Sequence, residues 1–112
     1  MMINHVNLYC TYLFIFGYMI TQQQVEVIKN VTERFNPAMI GIFGSYARGE
    51  QRSNSDLDIL IDFRHRVNLL EIVALEEELS QRLGVKVDLV TLKSLNDQLK
   101  PYIEADLIKL TS

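Results

Sequence analysis

The sequence predicts a small α/β sandwich in which helices pack against a short sheet. Three observations carry this expectation. Two segments with helical spacing of apolar residues each open on a capping box, three short apolar runs read as strands, and 112 residues fit one compact domain. The expected order is helix, strand, loop, strand, helix, strand, helix.

Thr21 with Gln24 forms the first capping box, and Val25, Ile28, Val31 and Phe35 then recur at helical spacing. Asn36-Pro37 ends that helix, because a residue before proline is pushed out of the α region. Ala38 to Phe43 is the first strand. Gly44-Ser45 follows, and a polar stretch runs as far as Ser55. Leu57 to Phe63 is the second strand, with Leu57, Ile59, Ile61 and Phe63 on one face. Asn68 and Glu71 cap a second helix whose apolar stripe is Leu69, Ile72, Val73, Leu79 and Leu83; Glu76, Glu77 and Glu78 form its solvated face. Gly84 sits at the C-cap position. Val85 to Val90 is the third strand, interrupted by Asp88. Ser94 opens a short helical turn. Pro101 begins a final helix, from which Ile103, Leu107 and Leu110 face inward.

Composition excludes several functions. A net charge of −3 leaves no basic footprint for direct nucleic-acid binding. The single cysteine, Cys10, forms no internal disulfide, which fits a reducing cytoplasm. Residues 1–20 contain no Lys, Arg, Asp or Glu. Their apolar run from Leu8 to Ile20 is shorter than the roughly 20 residues that span a bilayer, and no basic region precedes it. Neither a membrane span nor an export signal is therefore expected. This N-terminal extension is an added edge element, an oligomer contact, or sequence upstream of a natural start at Met19; residues 21–112 form the domain.

The strand that starts near Leu57 carries Asp56 and Asp58, two carboxylates on alternate positions. On a strand they point to the same side, with Cα atoms roughly 7 Å apart, close enough to converge on one cation. Hard divalent ions such as Mg²⁺ take carboxylate and phosphate oxygens, and Asp88 on a neighbouring strand would add a third ligand. Asp62 has the same parity but lies about 13 Å beyond Asp58, too far to share the ion. Glycine at 44 lets the backbone approach a phosphate, with neighbouring N–H groups and the Ser45 hydroxyl as donors. Phosphates in the turn and metal on the aspartates would bring a nucleoside triphosphate to one place. Two ions about 4 Å apart could then activate a hydroxyl and stabilise leaving pyrophosphate. Taken singly, a Gly-Ser turn is a turn and an Asp-x-Asp is loop solvation. Their joint spacing carries the site.

GSYARGEQRSNSDLD resembles the Gly-Ser, ten residues, Asp-x-Asp motif of the DNA polymerase β-type nucleotidyltransferase superfamily, and more closely the minimal nucleotidyltransferase (MNT) proteins. The likeness runs from Thr21 to Leu110 and includes Ala47 to Glu50, the Ser55-Asp56 step and the VDLVT strand. It implies a small mixed β-sheet packed by helices, a polymerase β-like fold, with ATP as substrate and Mg²⁺, two ions, as cofactor. It also implies a HEPT-domain toxin as partner, in complex with which the MNT protein is the antitoxin and transfers AMP to a tyrosine. By position, Gly44 and Ser45 would hold the triphosphate, Asp56 and Asp58 the metals, and Asp88 the catalytic metal and the hydroxyl proton. Arg48 and Ser55 would contact nucleotide; Arg52 would meet phosphate or an acidic partner surface. Tyr46, His5 and His65 receive no role. A chain of 112 residues is expected to leave no room for a second domain that grips an acceptor, which would favour a protein acceptor that brings its own surface. Two alternatives stay open: an antitoxin that masks its partner by binding alone, and an adenylyltransferase for a small molecule. Three converging carboxylates favour chemistry over masking.

Overall fold

The computed structural model describes residues 20–111. The expected N-terminal extension, apart from Ile20, lies outside the described residues. Helix α1 (Gln22–Thr32) starts at the expected box: Thr21 Oγ1 accepts from the Gln24 N–H at 3.1 Å, and Gln24 Oε1 from the Thr21 N–H at 2.8 Å. A 3₁₀ turn (Glu33–Phe35) follows, and Asn36 leaves the helix in the left-handed region at φ 45°. Strand β1 (Met39–Phe43), the one-turn helix α2 (Ser45–Arg48), β2 (Leu57–Asp62), α3 (Leu69–Leu83), β3 (Val87–Thr91), a second 3₁₀ turn (Leu92–Ser94), α4 (Lys100–Asp106) and β4 (Ile108–Thr111) complete the order.

The sheet runs β3-β2-β1-β4. β1 is antiparallel to β2 and β4, whereas β2 and β3 are parallel and joined by α3. The sheet is thus mixed, as the motif likeness implied. On one face α1 brings Val25, Ile28 and Val31, and α3 brings Leu75 and Leu79, against Ile40, Ile42, Leu57, Ile59, Ile61, Val87 and Leu89. Ile20 packs into the same core, and Phe63 meets Phe35 edge-on at 5.6 Å between centroids. The α3 stripe differs from expectation. Leu75 is buried, while Leu69 and Val73 are exposed, because the helix presents its 72/75/79 face to the sheet.

The C-terminal segment departs furthest from the sequence reading. The final helix stops at Asp106, and Ile108 to Thr111 forms a strand on the free edge of β1. A helix of 7 residues has little cooperativity of its own, so edge pairing prevails over the helical pattern. Leu107 then crosses the second face of the sheet over Gly41, where an added Cβ would lie 2.6 Å from Leu107 Cδ1. Leu60, opposite Gly41 in β2, is fully buried on that same second face. Among the described residues no helix is long and apolar enough to cross a membrane.

Candidate active site

Residues of β2 alternate between the two faces, so Leu57, Ile59 and Ile61 enter the helix-covered core while Asp58 emerges on the other side. In β3 the buried Val87 and Leu89 bracket an outward Asp88. The parallel register sets Asp58 directly beside Asp88. Adjacent strands lie about 4.8 Å apart, so the two carboxylates are forced together. Asp56 precedes β2 by one residue, half-buried, and Lys86 Nζ stands 3.8 Å from its Oδ2.

Electrostatics record this crowding. Burial, then the charge of Asp88, then that of Asp56 push the Asp58 carboxyl up to about 6, and a hydrogen bond with Asp88 adds to the shift. The charge of Arg48 opposes it. Like charges that share a desolvated surface disfavour ionisation unless a cation intervenes. Among the described residues, no three His, Cys, Asp or Glu side chains already enclose one point. Asp58 and Asp88 are the preassembled part, and Asp56 stands at their edge beside Lys86. An all-carboxylate donor set under mutual repulsion fits a hard divalent ion that keeps part of its water shell.

Gly44 sits against this cluster. Its backbone has φ 76° and ψ −153°, a region closed to other residues, and a Cβ there would collide with Asp58 Oδ2. Ser45 starts α2, whose turn is closed by the Arg48 N–H to Gly44 carbonyl bond at 3.1 Å. Gly49 ends it in the left-handed region, and the Glu50 N–H reaches back to the Ser45 carbonyl at 2.9 Å. Arg48 is exposed and held between two carboxylates, Glu50 Oε1 at 2.9 Å and Asp106 Oδ2 at 2.6 Å, which keep its guanidinium charged. Ser55 closes the intervening loop. Its Oγ accepts from the Arg52 N–H at 2.8 Å, and its N–H donates to the Arg52 carbonyl at 3.0 Å.

The structure therefore brings Gly44, Ser45, Asp56, Asp58 and Asp88 to one end of the sheet, with Arg48 alongside. It ties Ser55 to the loop backbone and makes Asp106 a partner of Arg48. Sequence reasoning missed Asp106 because its partner lies 58 residues earlier in the chain, and no local pattern pairs the end of α4 with the turn after β1. Glu76, read as part of a solvated face, is half-buried and accepts from the Leu89 N–H at 2.8 Å. Only the strand edge beneath α3 makes that contact visible.

A Gly-Ser turn packed against paired strand carboxylates on a mixed sheet is the architecture of a nucleotidyl-transferring domain. The nucleotidyltransferase domain model matches residues 25–110, and the chain belongs to that family. It is 46% identical over 82 residues to the protein adenylyltransferase MntA of Thermococcus cleftensis, covering 69% of this chain and 83% of that one. It is 49% identical over 81 residues to a chain of Methanocaldococcus jannaschii whose assignment as a protein adenylyltransferase is provisional, covering 71% and 83%. Among solved structures, a toxin-antitoxin with AMP-PNP superimposes with a TM-score of 0.71 at 27% identity, over 77% of this chain and 71% of that one. A chain provisionally assigned as a minimal nucleotidyltransferase superimposes at 0.69 and 33% identity, over 78% and 89%.

Proposed function

We propose that this protein is an antitoxin that transfers AMP from ATP to a tyrosine hydroxyl of a HEPT-domain toxin. The single observation that carries the reading is the in-register pair Asp58 and Asp88, with the Gly44 backbone against Asp58. Relatives named protein adenylyltransferases, and a similar toxin-antitoxin structure with AMP-PNP, support the transferred group and the class of acceptor.

Asp56, Asp58 and Asp88 would hold Mg²⁺, which when bound neutralises developing charge at the α-phosphate and on the leaving pyrophosphate. The Gly44-Ser45 backbone offers N–H donors to the triphosphate, and the Ser45 hydroxyl adds one more. Arg48 contributes a positive charge beside the phosphates. The acceptor oxygen attacks the α-phosphorus, the α–β anhydride bond breaks, and the hydroxyl proton passes to the Asp88 carboxylate. The product is a phosphodiester on the toxin, with pyrophosphate released. Such a reaction belongs in the cytoplasm, where ATP is abundant.

Incubation with α-labelled ATP, Mg²⁺ and the cognate HEPT-domain toxin tests the reading. Label retained on the partner and lost with Asp56→Asn is expected. Label that appears only in a low-mass product identifies a small-molecule transferase and overturns the choice of acceptor. No label, together with a stable stoichiometric complex, overturns the catalytic role in favour of masking by contact.

A further inference from the structure

Among the described residues β3 is an edge of the sheet, so alternate N–H groups along it face away from β2 and need acceptors from elsewhere. Helix α3 supplies two. Ser80 Oγ accepts from the Val87 N–H at 2.9 Å, and Glu76 Oε2 accepts from the Leu89 N–H at 2.8 Å. These two amides flank Asp88. The acceptors lie one helical turn apart and are themselves fixed, because the Ser80 hydroxyl also donates to the Glu76 carbonyl at 2.9 Å. Between them on α3, Leu79 is fully buried in the core, with Leu75 buried one residue before Glu76. The three successive glutamates thus differ. Glu77 is exposed, Glu78 pairs with Arg34 at 3.0 Å, and Glu76 holds a strand.

We propose that Glu76 and Ser80 are positioning residues that clamp β3 on both sides of Asp88 and thereby set the divalent-cation affinity of the Asp58–Asp88 pair. The inference rests on reading that pair as the metal-holding part of the site. An edge strand has a ladder on one side only, so its free side is where Asp88 can drift. A carboxylate acceptor gives a stronger, shorter bond to a backbone N–H than a neutral group does. Outer partners of metal ligands are commonly worth 10- to 100-fold in metal affinity. The same two bonds also occupy two of the outward donors by which another strand would add to this edge.

The test is Mn²⁺ binding to the full chain, read by electron paramagnetic resonance, together with amide hydrogen exchange at Val87 and Leu89. Glu76→Ala should weaken Mn²⁺ binding about 10-fold or more and speed exchange at Leu89. It should also raise the KM for divalent cation more than it lowers kcat. Glu76→Gln keeps an oxygen acceptor for Leu89 and should restore most of the affinity. Ser80→Ala should loosen Val87 and weaken Mn²⁺ less, while Glu77→Ala on the solvated face should change nothing. Wild-type Mn²⁺ affinity in a folded Glu76→Ala protein overturns the clamp, and so does a Glu76→Gln protein as weak as Glu76→Ala. Should Glu76→Ala fail to fold, Ser80→Ala decides: exchange at Val87 that speeds up with no loss of Mn²⁺ affinity overturns the proposal. Mn²⁺ binding that survives Asp88→Asn refutes the site reading itself, whereas loss in Asp88→Asn with none in Glu76→Ala refutes the clamp alone.

Discussion

Asp58→Asn should abolish AMP transfer and at the same time make the metal-free domain more stable at alkaline pH. The folded protein raises this carboxyl from 3.8 to about 6, chiefly by burial and then by Asp88 and Asp56. Two pKa units correspond to roughly 3 kcal/mol at most, at about 1.4 kcal/mol per unit. Because the group is only half-buried, solvent screening brings this to about 1 kcal/mol. The folded value lies above the unfolded one. The stability that Asp58 contributes is therefore complete below pH 3.8 and is lost as pH rises through about 6. Asparagine keeps the shape and removes the charge, so its advantage should be full near pH 8 and vanish towards pH 4. In a domain of this size 1 kcal/mol moves Tm by roughly 4–8 °C. Thermal melts of both proteins without divalent ions, across that pH range, measure the difference. Millimolar Mg²⁺ should raise the Tm of the wild type and leave the variant unmoved. A variant destabilised equally at pH 5 and pH 8 would refute the argument that like charges strain this pair.

Gly44→Ala should lose transfer and cost about 1–3 kcal/mol, because the residue is forced into a glycine-only conformation while its Cβ displaces the Asp58 carboxylate; urea melts beside the labelling assay read both. Gly41→Ala should destabilise by about 1–3 kcal/mol through overpacking against Leu107, with a lower urea midpoint and an unchanged slope. Asp106→Asn removes the partly buried carboxylate that pairs with the exposed Arg48 and should shift stability by less than about 1 kcal/mol. Arg48→Ala, by contrast, should raise the KM for ATP, and equal KM effects from the two would show that Arg48 acts only through Asp106.

Local chemistry is legible where one element determines it. Both capping boxes form as the Thr21–Gln24 and Asn68–Glu71 spacing dictates, and the period-two alternation of β2 puts Asp58 opposite the core. The Gly-Ser turn and the Asp-x-Asp lie adjacent in the fold because a hairpin-like return from β1 to β2 pairs Phe43 with Asp58. By itself the sequence determined the starts of the two capped helices and the core-averted face of Asp58, which follow from capping geometry and backbone periodicity. Tertiary structure alone decided three things. The parallel register of β2 and β3 placed Asp88 level with Asp58, since strand pairing over an intervening helix leaves no local trace in either strand. The free edge of β1 turned Ile108 to Thr111 from helix to strand, because its unpaired backbone groups outweighed a weak local preference. And α3, seated over the open side of β3, converted Glu76 from a solvated residue into a backbone acceptor. Each outcome depends on groups distant in the chain that only packing brings within bonding distance.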